Sequence, residues 1–175
     1  MYNAFILKKI LPVSLHVLDN MLQLYVHEIN EYFDYSIVLG DDGRYRIKSA
    51  QKHLADGWGY FIIVSCEYAG FILMNRKTKA SKGVFISEFF ILPRYRHGLF
   101  YQYVIVRLFS ELKGSVEYRV LMKNRRALLL FGSLAKKSVS SVQRTVEYEN
   151  GAEYFRFTLN TADITYGHTG DGSLC

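Results

Sequence analysis

Glu88 raises the first chemical question in this sequence, because it interrupts an otherwise apolar run from Val84 to Leu92. A carboxylate in the middle of a strand is expected to be buried, and burial raises its pKa toward the range of a useful proton carrier. A second reading stands beside that one: a carboxylate satisfied by backbone amides or by a neighbouring arginine. The next cluster, Arg94, Arg96 and His97, follows Pro93 where a strand ends and a helix begins. Unpaired N–H groups and the helix dipole favour an anion at such a junction. His16, His27 and His53 have no partner at motif spacing and read as structural or surface residues. Cys66 lies in an apolar run and Cys175 is the last residue, which gives neither a disulfide framework nor metal-ligand spacing and fits a reducing compartment.

Charge supports the anion reading. The 175 residues carry a net charge of +6, but unevenly: residues 1–72 hold 6 basic and 8 acidic residues, 73–144 hold 15 and 3, and 145–175 hold 1 and 5. A central band this basic suits a polyphosphate ligand or a nucleic acid. Scattered lysines such as Lys79, Lys82 and Lys113 read as solvated surface. No helix-turn-helix or RNA-binding signature accompanies the band, so no nucleic-acid partner is expected.

The elements that must position these residues follow from periodicity. Phe5 to Ile10, stopped by Pro12, reads as a strand. Leu18, Met21, Leu22, Tyr25, Ile29, Tyr32 and Phe33 recur at helical spacing over about Ser14 to Asp34, and a shorter helix is expected over Arg46 to Ala55. Strands are expected over Tyr60–Ser65, Tyr68–Asn75 and Val84–Leu92, then a helix from His97 to Lys113 with Gly114 as its cap. Ser115–Met122 reads as a strand and Asn124–Lys137 as a helix; Val142–Tyr148 and Tyr154–Leu159 form a hairpin about Asn150 and Gly151. The strand-helix-strand unit from Val84 to Met122 demands a parallel pair. The class is therefore mixed α/β. One domain is expected over residues 1–160, with 161–175 a loose tail.

The stretch Ile86-Ser87-Glu88-Phe89-Phe90-Ile91-Leu92-Pro93-Arg94-Tyr95-Arg96-His97-Gly98 resembles the central strand and pyrophosphate loop of the GNAT acetyltransferases. Asn124-Arg125-Arg126-Ala127, with Phe131, resembles the start of that family's helix after the fifth strand. The resemblance implies a mixed central sheet of about seven strands flanked by about four helices, acetyl-CoA as co-substrate, and transfer to a small-molecule or peptide amine by direct attack. It implies that Glu88 is the general base and the Ile91 N–H the oxyanion donor. Cofactor contacts would come from Phe89, Phe90, Ile91, Arg96, His97, Gly98, Leu99, Asn124, Ala127 and Phe131. A homodimer through the late strands is common among such proteins.

The sequence departs from the family pattern at two places. The first glycine follows Arg96 by two residues and not three, and Phe100 stands at the second small position, so the loop is one residue short. Phe131 occupies the place of a tyrosine that protonates the leaving thiolate, which leaves water as the donor. These departures keep a catalytically degenerate binding or interaction protein as the alternative. Asn124 reads either as a cofactor contact or as a helix N-cap. Trp58 reads as core or as a wall of the acceptor pocket, and Asp41 and Asp42 as a solvated turn or an amine attractor. The N-terminus lacks the order of charges of a signal peptide, and no uncharged apolar run reaches the roughly 20 residues of a membrane span. No membrane, no metal and a cytoplasmic location are the expectations.

Overall fold

The computed structural model describes residues 4–33, 37–76, 78, 83–138 and 142–163, with 133–138 described as backbone. Seven strands form one sheet in the order β1-β2-β3-β4-β5-β7-β6: β1 Phe5–Lys9, β2 Gly57–Val64, β3 Glu67–Asn75, β4 Gly83–Ile91, β5 Ser115–Leu121, β6 Val142–Glu149 and β7 Ala152–Asn160. Among the described strands, only β4 and β5 pair in parallel, as their connection through a helix requires. Helices α1 Leu15–Ile29 and α2 Ala50–Leu54 cover one face, where Leu18, Met21, Leu22 and Ala50 pack on Phe61, Phe71, Leu73 and Phe90. Helices α3 Phe100–Glu111 and α4 Arg125–Ser138 cover the other, where Phe100, Val104, Ile105, Leu108 and Phe131 pack on Ile62, Ile72, Ile86, Ile91 and Tyr118.

The element order is the expected one; several boundaries move, each for a local reason. The second helix starts at Ala50, not Arg46. The Arg46 and Ile47 amides are already donated to Val38 and Tyr45, and Ser49 Oγ caps the helix by accepting the Lys52 amide at 3.4 Å. Residues 57–59 belong to β2, not to the end of that helix, so Trp58 packs on the core from a strand. α1 stops at Ile29, and Asn30 holds the chain beyond by accepting the Ile37 amide at 2.8 Å. α3 starts at Phe100 and not at His97, because Pro93–Tyr95 form a 3-10 turn and Gly98 sits at φ +58°, which an α-helix cannot contain. Cys66 is exposed in the β2–β3 turn, where it and Ser65 both take positive φ, the backbone of a two-residue type I′ hairpin. Asn150 and Gly151 make the same turn between β6 and β7, as the sequence predicts. Lys79, Lys82 and residues 164–175 lie outside the described residues. No described helix is long and apolar enough to cross a membrane.

Candidate active site

The parallel ladder between β4 and β5 runs only from Gly83–Ser115 to Ile86–Tyr118, although β4 continues to Ile91 and β5 to Leu121. The cause is visible on the other edge of β4. There Leu73 pairs with Glu88 and Met74 with Ile86, so Ser87 is an extra residue, and its Oγ donates to the Leu73 carbonyl at 3.2 Å. Such a bulge bends and over-twists its strand. It falls immediately after the last rung with β5, so the two strands part there.

The bulge also sets which side chains face which layer. Val84 and Ile86 pack toward α3 and α4, as do Phe89 and Ile91, while Phe90 packs toward α1. Strict alternation would have put Glu88 on the face of Ile86; the extra residue turns it to α1. Leu92 donates its N–H to the Ala69 carbonyl at 2.8 Å, the next rung with β3. Alternation then turns the backbone groups of Glu88 and Phe90 toward β3, and those of Phe89 and Ile91 into the gap.

The gap opens into a cleft of about 570 Å³, lined on one side by Tyr25, Glu28, Tyr32 and Phe33 from α1 and its extension. The other side is lined by Tyr101 from α3 and by Asn124, Arg126, Ala127 and Phe131 at the start of α4. Glu88, Phe89, Phe90, Ile91 and Arg96 also line it, so most of the expected site residues converge. His97, Gly98 and Leu99 do not line the cleft; they form the turn that leads into α3. Gly98 takes φ +58° with nothing within 4 Å of where a Cβ would stand, so backbone conformation and not crowding calls for glycine. Phe100 is only 2% exposed and packs edge-on against Phe5, away from the cleft. The bulky side chain at the small-residue position therefore leaves the gap open.

Glu88 meets Tyr25, whose hydroxyl donates to its Oε2 at 2.5 Å. Burial pushes the Glu88 carboxyl from 4.5 up to about 7, against the Tyr25 hydrogen bond and the charges of Arg119 and Lys48, which favour the ionised form. Burial, and then the Glu88 charge, holds the Tyr25 phenol well above its ordinary range. The site thus holds a carboxyl group near half-ionisation at neutral pH, beside a phenol that keeps its proton. Arg96 donates its Nε to the Ile91 carbonyl at 2.5 Å and forms a two-pronged pair with Glu28, one prong at 2.5 Å. Asn124 caps α4: its Oδ1 accepts the Ala127 amide at 3.0 Å. Phe131 is buried against Tyr118, ring centroids 4.8 Å apart, and meets Phe89 edge-on.

Tyr25, Glu28, Tyr118 and Arg119 are cleft residues outside the two motifs, and Arg126, inside the second, is a cleft residue to which the motif assigns no role. Tyr25 and Glu28 carry one faint signal: they sit three apart near the end of an amphipathic helix, on one face. Trp58 and the Asp41–Asp42 turn lie outside the lining; Arg76 stacks over the Trp58 ring, and Asp42 pairs with Arg46 at 3.7 Å.

No protein-family model matches the sequence, and no curated protein matches it. Solved structures do match. A spermidine N-acetyltransferase from Vibrio cholerae, in complex with CoA and spermine, has 13% identity and a TM-score of 0.62 over 91% of this chain and 96% of its own. A putative acetyltransferase from Salmonella typhimurium with its cofactor acetyl-CoA has 12% identity and a TM-score of 0.58 over 98% and 99%. An N-acetyltransferase from Staphylococcus aureus Mu50 has 8% identity and a TM-score of 0.58 over 90% and 99%.

Proposed function

We propose that this chain, which has the fold of the GNAT acetyltransferases, transfers an acetyl group from acetyl-CoA to a primary amine. The observation that carries the reading is the parting of β4 and β5 after Ile86–Tyr118, which turns the backbone groups of Phe89 and Ile91 into a cleft. Backbone N–H and C=O groups left without a strand partner take an extended amide chain as an added strand, and the pantetheine arm is such a chain. The turn at Gly98 and the first amides of α3 stand at the end of β4, where phosphates would follow.

In this reading Glu88 takes the proton of the bound ammonium, and the free amine attacks the thioester carbon. The Ile91 N–H donates to the developing oxyanion. A C–N bond forms and the C–S bond breaks; the proton that the attacking nitrogen sheds passes through water to the leaving thiolate, since Phe131 has none to give. Residues 1–160 act as one domain in the cytoplasm, and the acceptor is a small-molecule or peptide amine.

Thermal unfolding with acetyl-CoA, free CoA and a short RNA, each at about 100 times a plausible dissociation constant, tests this; a true ligand stabilises by roughly 2.7 kcal/mol. Acetyl-CoA and CoA should shift the midpoint and RNA should not. Thioester consumption against an amine panel then reads turnover. A shift without turnover against any amine would favour the non-catalytic binding protein, and no shift at all would end the proposal.

A further inference from the structure

Three arginines line the cleft; Arg119 is paired with Glu149, and the other two are in different states. Arg96 is engaged at each of its three nitrogens: Nε bonds the Ile91 carbonyl, Nη1 and Nη2 bond the two oxygens of Glu28, and the guanidinium lies 5.3 Å from the centre of the Phe90 ring. Its side chain is only 19% exposed. Its charge is already balanced by Glu28, and swinging the guanidinium onto a phosphate would leave that partly buried carboxylate unpaired, which is costly for a desolvated pair. Arg126, the second residue of α4, is exposed, lines the same cleft, and makes no hydrogen bond or ion pair among the described residues.

Arg126 lines the cleft together with Tyr101, the second residue of α3, and Tyr32, beyond the end of α1, and its charge opposes the rise of both phenols. Burial pushes the Tyr101 phenol up to about 12, with Arg96 and Arg126 both opposing the rise. A guanidinium with no protein partner among the described residues, lining a cleft that the first turn of α3 also reaches through Tyr101, is a charge available to an anion bound there.

We propose that Arg126 is the cation that binds the phosphates of the thioester carrier, and that Arg96 is a positioning residue that ties the end of α1 to the end of β4. This rests on the acetyl-CoA reading above. Arg96 also occupies the Ile91 carbonyl, which leaves the N–H of Ile91 and the backbone of Phe89 as the gap-facing groups for the carrier.

The test compares binding of CoA with binding of S-acetylpantetheine, which has the arm but no nucleotide. Arg126→Gln is expected to weaken CoA about tenfold or more, to flatten the salt dependence of CoA binding, and to leave S-acetylpantetheine unchanged. Arg96→Gln and Glu28→Gln should shift both ligands by the same factor and raise the acceptor KM alike, and the double variant should be no worse than either single one. Wild-type CoA affinity in Arg126→Gln would overturn the assignment. So would a loss in Arg96→Gln confined to CoA. Should Arg96→Gln fail to fold, Glu28→Gln alone decides about Arg96: tighter CoA binding would mark the freed guanidinium as a phosphate ligand, and no gain supports the tie. If the wild type binds neither CoA nor S-acetylpantetheine, the acetyl-CoA reading fails and this assignment falls with it. Binding of both, with no change in Arg126→Gln, sinks this assignment alone.

Discussion

Glu88 and Tyr25 define the chemistry at the scale of single residues. With its carboxyl held near 7, Glu88 is mostly ionised just above neutrality, and the acetylation rate is expected to rise through pH 7 and level off. Glu88→Gln should lower kcat by about a hundredfold or more and abolish that inflection; a mutant with an unchanged pH–rate profile would remove Glu88 from the mechanism. The Tyr25 hydrogen bond holds the carboxyl down, so Tyr25→Phe should move the inflection to higher pH. The same group makes stability depend on pH. A carboxyl with a folded-state pKa of about 7 against 4.5 unfolded keeps its proton longer in the folded state, so stability falls as pH rises through that window. Glu88→Gln does not titrate, and urea denaturation should therefore find it more stable than wild type at pH 8, by about 1–3 kcal/mol, with the gap closing toward pH 4.

At the scale of elements, β4 decides the site. Ser87 supplies the bulge, the bulge separates β4 from β5, and β3 must press closely on the other edge to hold the bend. Gly70 lets it do so: a Cβ there would stand 2.2 Å from the Phe90 carbonyl oxygen, a backbone atom with nowhere to retreat. Gly70→Ala should therefore destabilise by about 3 kcal/mol or more. Its loss of CoA binding should exceed what unfolding alone explains, since the Phe90–Ile91 backbone moves. A denaturant midpoint equal to that of wild type would show that β4 yields more easily than the packing implies. Asn124 works at the same scale: its Oδ1 accepts the Ala127 amide and so fixes the start of α4, the helix that carries Arg126.

At the scale of the molecule, charge and cleft coincide in part. The strongly basic stretch 73–144 contains β4, α3, β5 and the start of α4, which together frame the gap. Binding of a polyanionic carrier should then weaken as salt rises from about 50 to 200 mM, because the Debye length shortens over that range. Affinity independent of salt would mean that the band plays no part in carrier binding. Arg96 and Arg119 are basic residues of this band whose charge is balanced at close range, by Glu28 and Glu149. Arg156, outside the band, lies between Glu117 and Glu147 and forms part of a charged layer on β5, β6 and β7.

The element order, the strand-helix-strand unit that demands a parallel pair, the Asn150–Gly151 hairpin and the convergence of Ile86–Ile91 and Arg96 with Asn124, Ala127 and Phe131 were all legible in residue order. Periodicity, turn chemistry and motif spacing are properties of neighbours along the chain. The role of Arg96, the partner of Glu88 and the availability of Arg126 were not. Glu28 lies 68 residues from Arg96, and Tyr25 lies 63 from Glu88. Which cation is spent and which is free depends on which carboxylate folding brings beside it. Even the face that Glu88 takes turned on one extra residue at Ser87, which periodicity alone does not reveal because the bulge exists only against its partner strand.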